Sequence, residues 1–196
     1  MVEGGSSRDF RRVKGWAYRD AEGFDALIGI LVESTTKFLT GQSEAGAEVV
    51  QLFDTWAGIL PEPAFGRWVV EPTRAIVTAL KQRFPGHPII GFPRGAGLLY
   101  ERYIKETGVD GIGLDPIVPS GFARERLQPL ATVQGNLVPI LLITGGSSLE
   151  AAVRELFRSL GGGSFIFNLG HGVLPQTPPE NVEALACLLT EPTATT

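Results

Sequence analysis

The stretch FIFNLGHGVLP, residues 165–175, decides the fold and contains the strongest candidate for a ligand contact. It opens as an apolar run of the kind that a buried parallel strand uses. The run stops at Gly170-His171-Gly172, and a helix start follows near Pro179. The pattern predicts an imidazole just past the carboxyl end of a buried strand, with glycines that let a ligand approach the backbone. Ligands bind at that end of the strands in parallel α/β folds.

Four more strand patterns precede this one, at residues 48–53, 89–92, 111–115 and 131–136. Helical patterns lie before or between them, at residues 20–44, 61–84, 98–107 and 148–160, and a last one follows at 179–189. Strict alternation with short connections predicts parallel strands joined by right-handed crossovers. The five strands fall short of a complete (β/α)8 barrel. We therefore expect an α/β protein with one domain, residues 1–196, forming a partial (β/α)8 TIM barrel of about five βα units from the C-terminal side.

An open doubly wound sheet is the competing architecture. Such sheets bind nucleotides with a glycine-rich loop after the first strand. Here the first strand is followed by DTWAG, residues 54–58, which is no phosphate loop. The glycines at 161–163 precede a strand, so they cannot cradle a phosphate at a helix N-terminus.

The composition excludes several classes of function. The 196 residues are 43% hydrophobic with a net charge of −4, which predicts no nucleic-acid partner. No run approaches the roughly 20 apolar residues of a membrane span, and no signal-peptide pattern is seen. The single cysteine, Cys187, excludes an internal disulfide and is expected to be a small buried hydrophobe. Together these features predict a cytoplasmic protein without a membrane partner.

Other strand ends bring polar groups to the same rim as His171. Thr55 can offer a hydroxyl to a ligand carboxylate, or it can cap a helix or satisfy the strand end. Arg94 can grip a carboxylate with a bidentate fork, or it can form a salt bridge at the rim. Asp115 is expected to cap its own turn, and Gln134 and Asn136 are expected to bond strand-end backbone. One cysteine and two distant histidines give no metal-ligand spacing, so no metal site is predicted.

Four stretches together resemble the C-terminal half of the uroporphyrinogen decarboxylase family: residues 52–58 (LFDTWAG), 91–97 (GFPRGAG), 133–137 (VQGNL) and 167–175 (FNLGHGVLP). Their order and intervals match, and the resemblance covers nearly all of the chain. It implies a single (β/α)8 barrel that forms a homodimer with facing active-site clefts. It also implies a decarboxylase that converts uroporphyrinogen III, a tetrapyrrole, to coproporphyrinogen III by removing carbon dioxide from four acetate side chains. The resemblance implies further that no metal or organic cofactor takes part, because the protonated pyrrole of the substrate is the electron sink.

The resemblance also implies roles for individual residues. Thr55 matches the family's Ser/Thr substrate contact, His171 matches its substrate-binding histidine, and Phe53 is expected to line the cavity. Three family features are not found in this sequence: an arginine-rich Arg-Gln-Ala-Gly-Arg loop, an aspartate that receives the pyrrole N–H groups, and a tyrosine that directly precedes Met-Val-Glu-Gly-Gly. In addition, Val138 replaces an acidic residue. We therefore expect the chain alone to be inactive, with no certain catalytic residue of its own.

Two other functions remain open on the sequence. Corrinoid-dependent methyltransferases share the barrel but hold zinc with His and Cys ligands, and the lone Cys187 argues against them. A non-catalytic partial barrel, paired with a separate piece or with itself, belongs to a different class. Such a protein would have open strand edges, which promote association.

Overall fold

A computed structural model describes residues 2–190, which form one five-stranded parallel sheet with helices against one of its faces. The strands are β1 (Val50–Asp54), β2 (Ile89–Pro93), β3 (Gly111–Gly113), β4 (Thr132–Leu137) and β5 (Phe165–Leu169). Each lies within two residues of its predicted bounds. The strand order is β1-β2-β3-β4-β5, so each consecutive strand is added beside the last.

Helices precede or follow every strand. They are α1 (Arg11–Arg19), α2 (Ala21–Glu44), α3 (Glu62–Phe65), α4 (Glu71–Arg83), α5 (Tyr100–Thr107), α6 (Ser120–Phe122), α7 (Pro139–Thr144), α8 (Gly146–Leu160) and α9 (Pro179–Thr190). A π-helical turn, Gly66–Val70, joins α3 to α4, and another, Ala123–Leu127, extends α6. Single 3-10 turns, Ala57–Ile59 and Gly97–Leu99, follow β1 and β2. This regular alternation is that of successive βα units.

Local sequence explains where the longer helices begin and end. The Asp20 side chain accepts a hydrogen bond of 2.9 Å from the Gly23 amide, so it caps the N-terminus of α2. Gly108 ends α5 with a φ of 75°, a left-handed conformation that glycine adopts without steric cost. From there the chain enters β3 within three residues.

Alternation along the strands divides the sheet into a covered face and a concave face. Val50, Ile89, Ile112 and Val133, one from each of the first four strands, belong to one core with α2, α4, α5 and α8. Residues on the opposite face of the strands, such as Gln51 and Phe53, point away from that core. The helices thus anchor one side of the sheet and leave the other side available for a site.

The sheet is strongly curved. The Gln134 Nε2 donates a hydrogen bond of 3.1 Å to the Gln51 Oε1, and these residues lie on β4 and β1, three positions apart in the strand order. In a flat sheet, strands three positions apart would be separated by about 14 Å. Direct contact between the two side chains therefore requires the sheet to curl, as it does in a barrel wall.

The structure corrects the prediction that the last strand is buried. β5 has β4 as its one neighbour within residues 2–190, and its exposure alternates, with Ile166 42% exposed and Phe165 half-buried. It is therefore an edge strand with one face against the helices and the other on the open concave side. Cys187 was also expected to be buried, but it lies on the exposed surface of α9. No helix within residues 2–190 is long and apolar enough to cross a bilayer.

Replacement of a residue at the centre of the covered face tests this arrangement. Ile112 is fully buried in the middle strand, so Ile112→Ala is expected to lower the free energy of unfolding by about 2–5 kcal/mol. Urea denaturation measures the change. Ile117→Ala is the matched control, because Ile117 is 82% exposed, and it is expected to change stability by less than about 0.5 kcal/mol. Equal losses in the two variants would contradict the assigned core.

Candidate functional site

A hollow of about 170 Å³ lies on the concave face at the carboxyl end of the sheet. Side chains from four strands line it, among them Gln51, Phe53, Phe92, Gln134, Asn168 and His171. Curling of the sheet brings these strands around one space. The hollow therefore joins residues more than 100 positions apart in the sequence.

His171 lies in this hollow because the backbone before it is tightly placed. The Gly170 amide donates a hydrogen bond of 2.8 Å to the Leu137 carbonyl at the end of β4. A Cβ at Gly170 would lie 2.7 Å from Pro116, so only glycine allows this approach. The His171 side chain is exposed and free to donate or accept a hydrogen bond. The prediction that it stands just past a strand end is confirmed.

Phe53 and Phe92 form the apolar part of the hollow. They are register partners on β1 and β2, and their ring centroids lie 5.9 Å apart in an edge-to-face arrangement. Phe92 is buried, whereas Phe53 is 70% exposed. An aromatic ring this exposed on a concave surface offers a face for a flat apolar ligand. Phe53 lines the hollow as the sequence suggested, while its contact with a substrate stays a prediction.

An amide pair forms the polar part of the hollow. Gln134 bonds the Gln51 side chain rather than the strand-end backbone that the sequence suggested. Neither Gln51 nor Phe92 was identified from the sequence. A usable signal existed for Gln51, because it is two residues before Phe53 on the same face of β1. Phe92 is the register partner of Phe53, a pairing that becomes visible only in the folded sheet.

Thr55 and Arg94 do not line this hollow. Both are half-buried and lie in the loops directly after β1 and β2. Those loops are joined by the backbone, since the Arg94 amide donates to the Asp54 carbonyl and the Gly58 amide donates to the Arg94 carbonyl, each at 3.0 Å. No acidic side chain within residues 2–190 forms an ion pair with Arg94, so the rim salt bridge is not seen there. Thr55 and Arg94 therefore stay predictions as substrate contacts.

The loop after β1 also borders a second, larger hollow of about 540 Å³. Its walls are mainly apolar and include residues of the N-terminal segment, α1 and α2, together with Asp54 and Trp56. Burial raises the pKa of the Asp54 carboxyl above its usual value, although the backbone N–H groups of Trp56 and Ala57 oppose the shift. The surroundings of Asp54 therefore disfavour the charged form of its carboxyl group.

Two residues at the strand ends serve the backbone. The Asn136 Nδ2 donates to the Asp115 and Val118 carbonyls at 2.9 Å and 2.8 Å, as the sequence suggested. The Asp115 carboxylate accepts from the Ile117 amide in its own turn at 3.2 Å, and it also reaches other loops. No three His, Cys, Asp or Glu side chains in the part of the chain that the structure describes lie together as a metal site.

Close contact between the first two loops gives a testable consequence. A Cβ at Gly58 would lie 2.2 Å from the Gly95 carbonyl oxygen. Gly58→Ala is therefore expected to lower the free energy of unfolding by about 1–3 kcal/mol, because backbone must move to admit the methyl group. Gly121→Ala is the control, since nothing lies within 4 Å of its Cβ position. Urea denaturation that shows equal stability for the two variants would contradict this packing.

The raised pKa of Asp54 predicts a pH dependence. The folded protein holds a proton on Asp54 at pH values where the unfolded chain, with a value near 3.8, has lost it. The contribution of Asp54 to the free energy of unfolding therefore falls as the pH rises from the unfolded-chain pKa of 3.8 through the raised pKa of the folded protein. Asp54→Asn is expected to increase the free energy of unfolding at pH 7 and to leave it nearly unchanged near pH 3. Asp9→Asn, at an exposed position, is the control. A loss of stability in Asp54→Asn at pH 7 would contradict the upward shift of the Asp54 pKa.

Comparisons of the sequence with known proteins agree on one family. Residues 1–191 match the uroporphyrinogen decarboxylase family. The chain is 56% identical to uroporphyrinogen decarboxylase from Rhodospirillum rubrum over 98% of this chain and 55% of that protein. It is 47% identical to the same enzyme from Granulibacter bethesdensis, over 96% of this chain and 55% of that protein. The chain thus spans about half the length of the curated relatives it matches.

A solved structure confirms the fold class. A methyltransferase from Methanosarcina mazei superposes with a TM-score of 0.77 at 20% sequence identity, covering 91% of this chain and 52% of the other. At this identity the likeness concerns the fold alone. The five βα units form a partial (β/α)8 barrel. On its sequence match and its fold, this chain belongs to the uroporphyrinogen decarboxylase family.

Proposed function

We propose that this chain provides the tetrapyrrole-contacting rim of a uroporphyrinogen decarboxylase. The reaction converts uroporphyrinogen III to coproporphyrinogen III by removing carbon dioxide from four acetate side chains. Family membership supports this proposal. The observation that carries it is the meeting of Phe53 and His171, from opposite edges of the sheet, at one hollow.

The chemistry of the hollow suits such a ligand. Uroporphyrinogen combines flat pyrrole rings with many carboxylates. The exposed Phe53 ring provides an apolar contact, and the His171 imidazole can donate a hydrogen bond to a carboxylate. Arg94 and Thr55, in the adjoining loops, are proposed to hold further carboxylates, because a guanidinium fork and a hydroxyl both donate to carboxylate oxygens.

The substrate itself supplies the electron sink in this proposal. Protonation of a pyrrole at the ring carbon next to the one that bears the acetate gives a cationic ring that is conjugated with the acetate-bearing carbon. The bond between the acetate methylene and its carboxyl carbon then breaks, its electron pair enters the ring and leaves an exocyclic methylene, and carbon dioxide departs. A second proton converts the methylene to a methyl group while the first proton leaves the ring carbon, so that one proton is consumed for each carbon dioxide released. No metal or organic cofactor is required, and the protein acts by holding charges in place.

We further propose that the complete enzyme is a cytoplasmic homodimer without a nucleic-acid partner, and that this chain alone does not turn over substrate. The proposed lack of turnover is supported by the chain spanning about half the length of its relatives. The arginine-rich loop, aspartate and tyrosine of the family are not found in its sequence. Charge that develops in the transition state needs preorganised partners, and those groups would supply them.

Reconstitution tests the proposed function. The purified 196-residue chain is assayed with uroporphyrinogen III, alone and together with the part of the R. rubrum relative that it does not cover. We expect no coproporphyrinogen from the chain alone and product from the mixture. In the mixture, His171→Asn is expected to reduce turnover about 10- to 100-fold, the effect of losing a hydrogen bond to a charged group.

The second histidine provides a matched control. His87 lies in the turn before β2, with its Nε2 3.3 Å from the Ser43 Oγ, far along the strand from the hollow. His87→Asn is expected to leave turnover unchanged. Turnover by the chain alone at the level of a complete relative would contradict the proposal that catalysis needs groups that this chain does not contain. A folded mixture in which His171→Asn has no effect would contradict the role of the hollow.

A further inference from the structure

We propose that Asp115 is a positioning residue, whose buried carboxylate and adjoining Pro116 hold the Arg94 and His171 loops in the arrangement that binds a polycarboxylate ligand. This inference rests on the proposed function for the identity of the ligand. It assigns to Asp115 a role beyond the cap of its own turn that the sequence suggested.

The Asp115 carboxylate is almost completely buried, with the residue 3% exposed. Its Oδ2 accepts from the Gly95 amide at 2.7 Å and from the Tyr100 hydroxyl at 3.0 Å, while its Oδ1 accepts from the Ile117 amide at 3.2 Å. A buried carboxylate is costly unless donors surround it. Here three donors come from two different loops and a helix, so the carboxylate links elements that are separate in the sequence.

The first link runs to the loops that carry Arg94 and Thr55. Gly95 directly follows Arg94, so its bond to Asp115 fixes the backbone beside the guanidinium-bearing residue. The Arg94 amide and carbonyl are in turn bonded to the Asp54 carbonyl and the Gly58 amide. The ends of β1 and β2 therefore depend on one carboxylate at the end of β3.

The second link runs to His171. Pro116, the residue after Asp115, packs so closely on Gly170 that a Cβ there would meet it at 2.7 Å. Asn136 fixes the same segment by donating to the Asp115 carbonyl. The segment Asp115-Pro116 thus touches Gly95 on one side and Gly170 on the other, and each of these glycines directly adjoins a proposed ligand contact.

Ligand binding by the variant Asp115→Asn tests the positioning role. The probe is uroporphyrin III, the oxidised octacarboxylate, titrated against the 196-residue chain by fluorescence. We expect Asp115→Asn to weaken binding at least about tenfold, because the amide cannot accept from all the donors that the carboxylate satisfies. Tyr100→Phe removes one donor only and is expected to give a smaller loss.

Asp110→Asn is the matched control. Asp110 precedes β3 at the opposite end of the strand, where its carboxylate accepts from the Ile89 amide at 2.9 Å and pairs with Lys81 at 2.7 Å. The same change there is expected to reduce stability but to leave uroporphyrin affinity unchanged. Equal losses of affinity in the two variants would reduce the role of Asp115 to general stability and overturn the proposal.

A double-mutant cycle separates positioning from unrelated damage. If Asp115 acts in part through Arg94, the change Asp115→Asn has a smaller effect in an Arg94→Gln background than in the wild type. Fully additive losses would overturn the proposal. Should Asp115→Asn fail to fold, the cycle is run with Tyr100→Phe, which leaves the carboxylate and its two amide partners in place.

Amide hydrogen exchange tests, without any ligand, whether Asp115 holds the loops that contain Gly95 and Gly170. In Asp115→Asn, exchange at Gly95 and Gly170 is expected to accelerate, while the Val133 amide, bonded to the Ser164 carbonyl at 3.0 Å, keeps its protection. Unchanged exchange at both glycines would overturn the proposal. A wild-type chain that does not bind uroporphyrin would contradict the proposed function, and the exchange result would still show whether Asp115 holds these loops.

Discussion

Burial of one face of the sheet against the helices sets the positions of all the other elements. Val50, Ile89, Ile112 and Val133 supply one apolar side chain each to a shared core, which fixes the register of four parallel strands. Because side chains alternate along a strand, the same constraint sends Gln51, Phe53 and Gln134 to the concave face. The candidate site is therefore a consequence of packing on the opposite side of the sheet.

The elements could be predicted from the sequence because their signals are local. Apolar spacing marked α2, and apolar runs bounded by glycine or proline marked the strands to within two residues. The burial of β5 was predicted wrongly, because a run such as FIFNL reads the same whether its second face is covered or open. The prediction that Cys187 is buried was wrong for a similar reason. The sequence of α9 is apolar enough to suggest burial, but the position of Cys187 faces outward.

Part of the site could be predicted and part could not. His171 and Phe53 meet at the hollow because each adjoins or lies in a strand whose direction the pattern fixed. Thr55 and Arg94 lie in loops beyond the strand ends, where alternation no longer determines side-chain direction, and they do not line it. The hydrogen bonds that Asp115 accepts from Gly95 and Tyr100 depend on tertiary packing, which no short sequence motif predicts.

The concave hollow and the larger apolar hollow beside α1 and α2 are two places where a tetrapyrrole could bind, and one measurement distinguishes them. Amide NMR spectra of the isotope-labelled chain are followed as uroporphyrin III is added. We predict that the largest shifts fall on the amides around the concave hollow, at Phe53, His171 and Gly172. Shifts confined to the apolar hollow beside α1 and α2, at Phe10, Val13 and Ile28, would contradict it, as would a titration that leaves His171 unmoved at saturation.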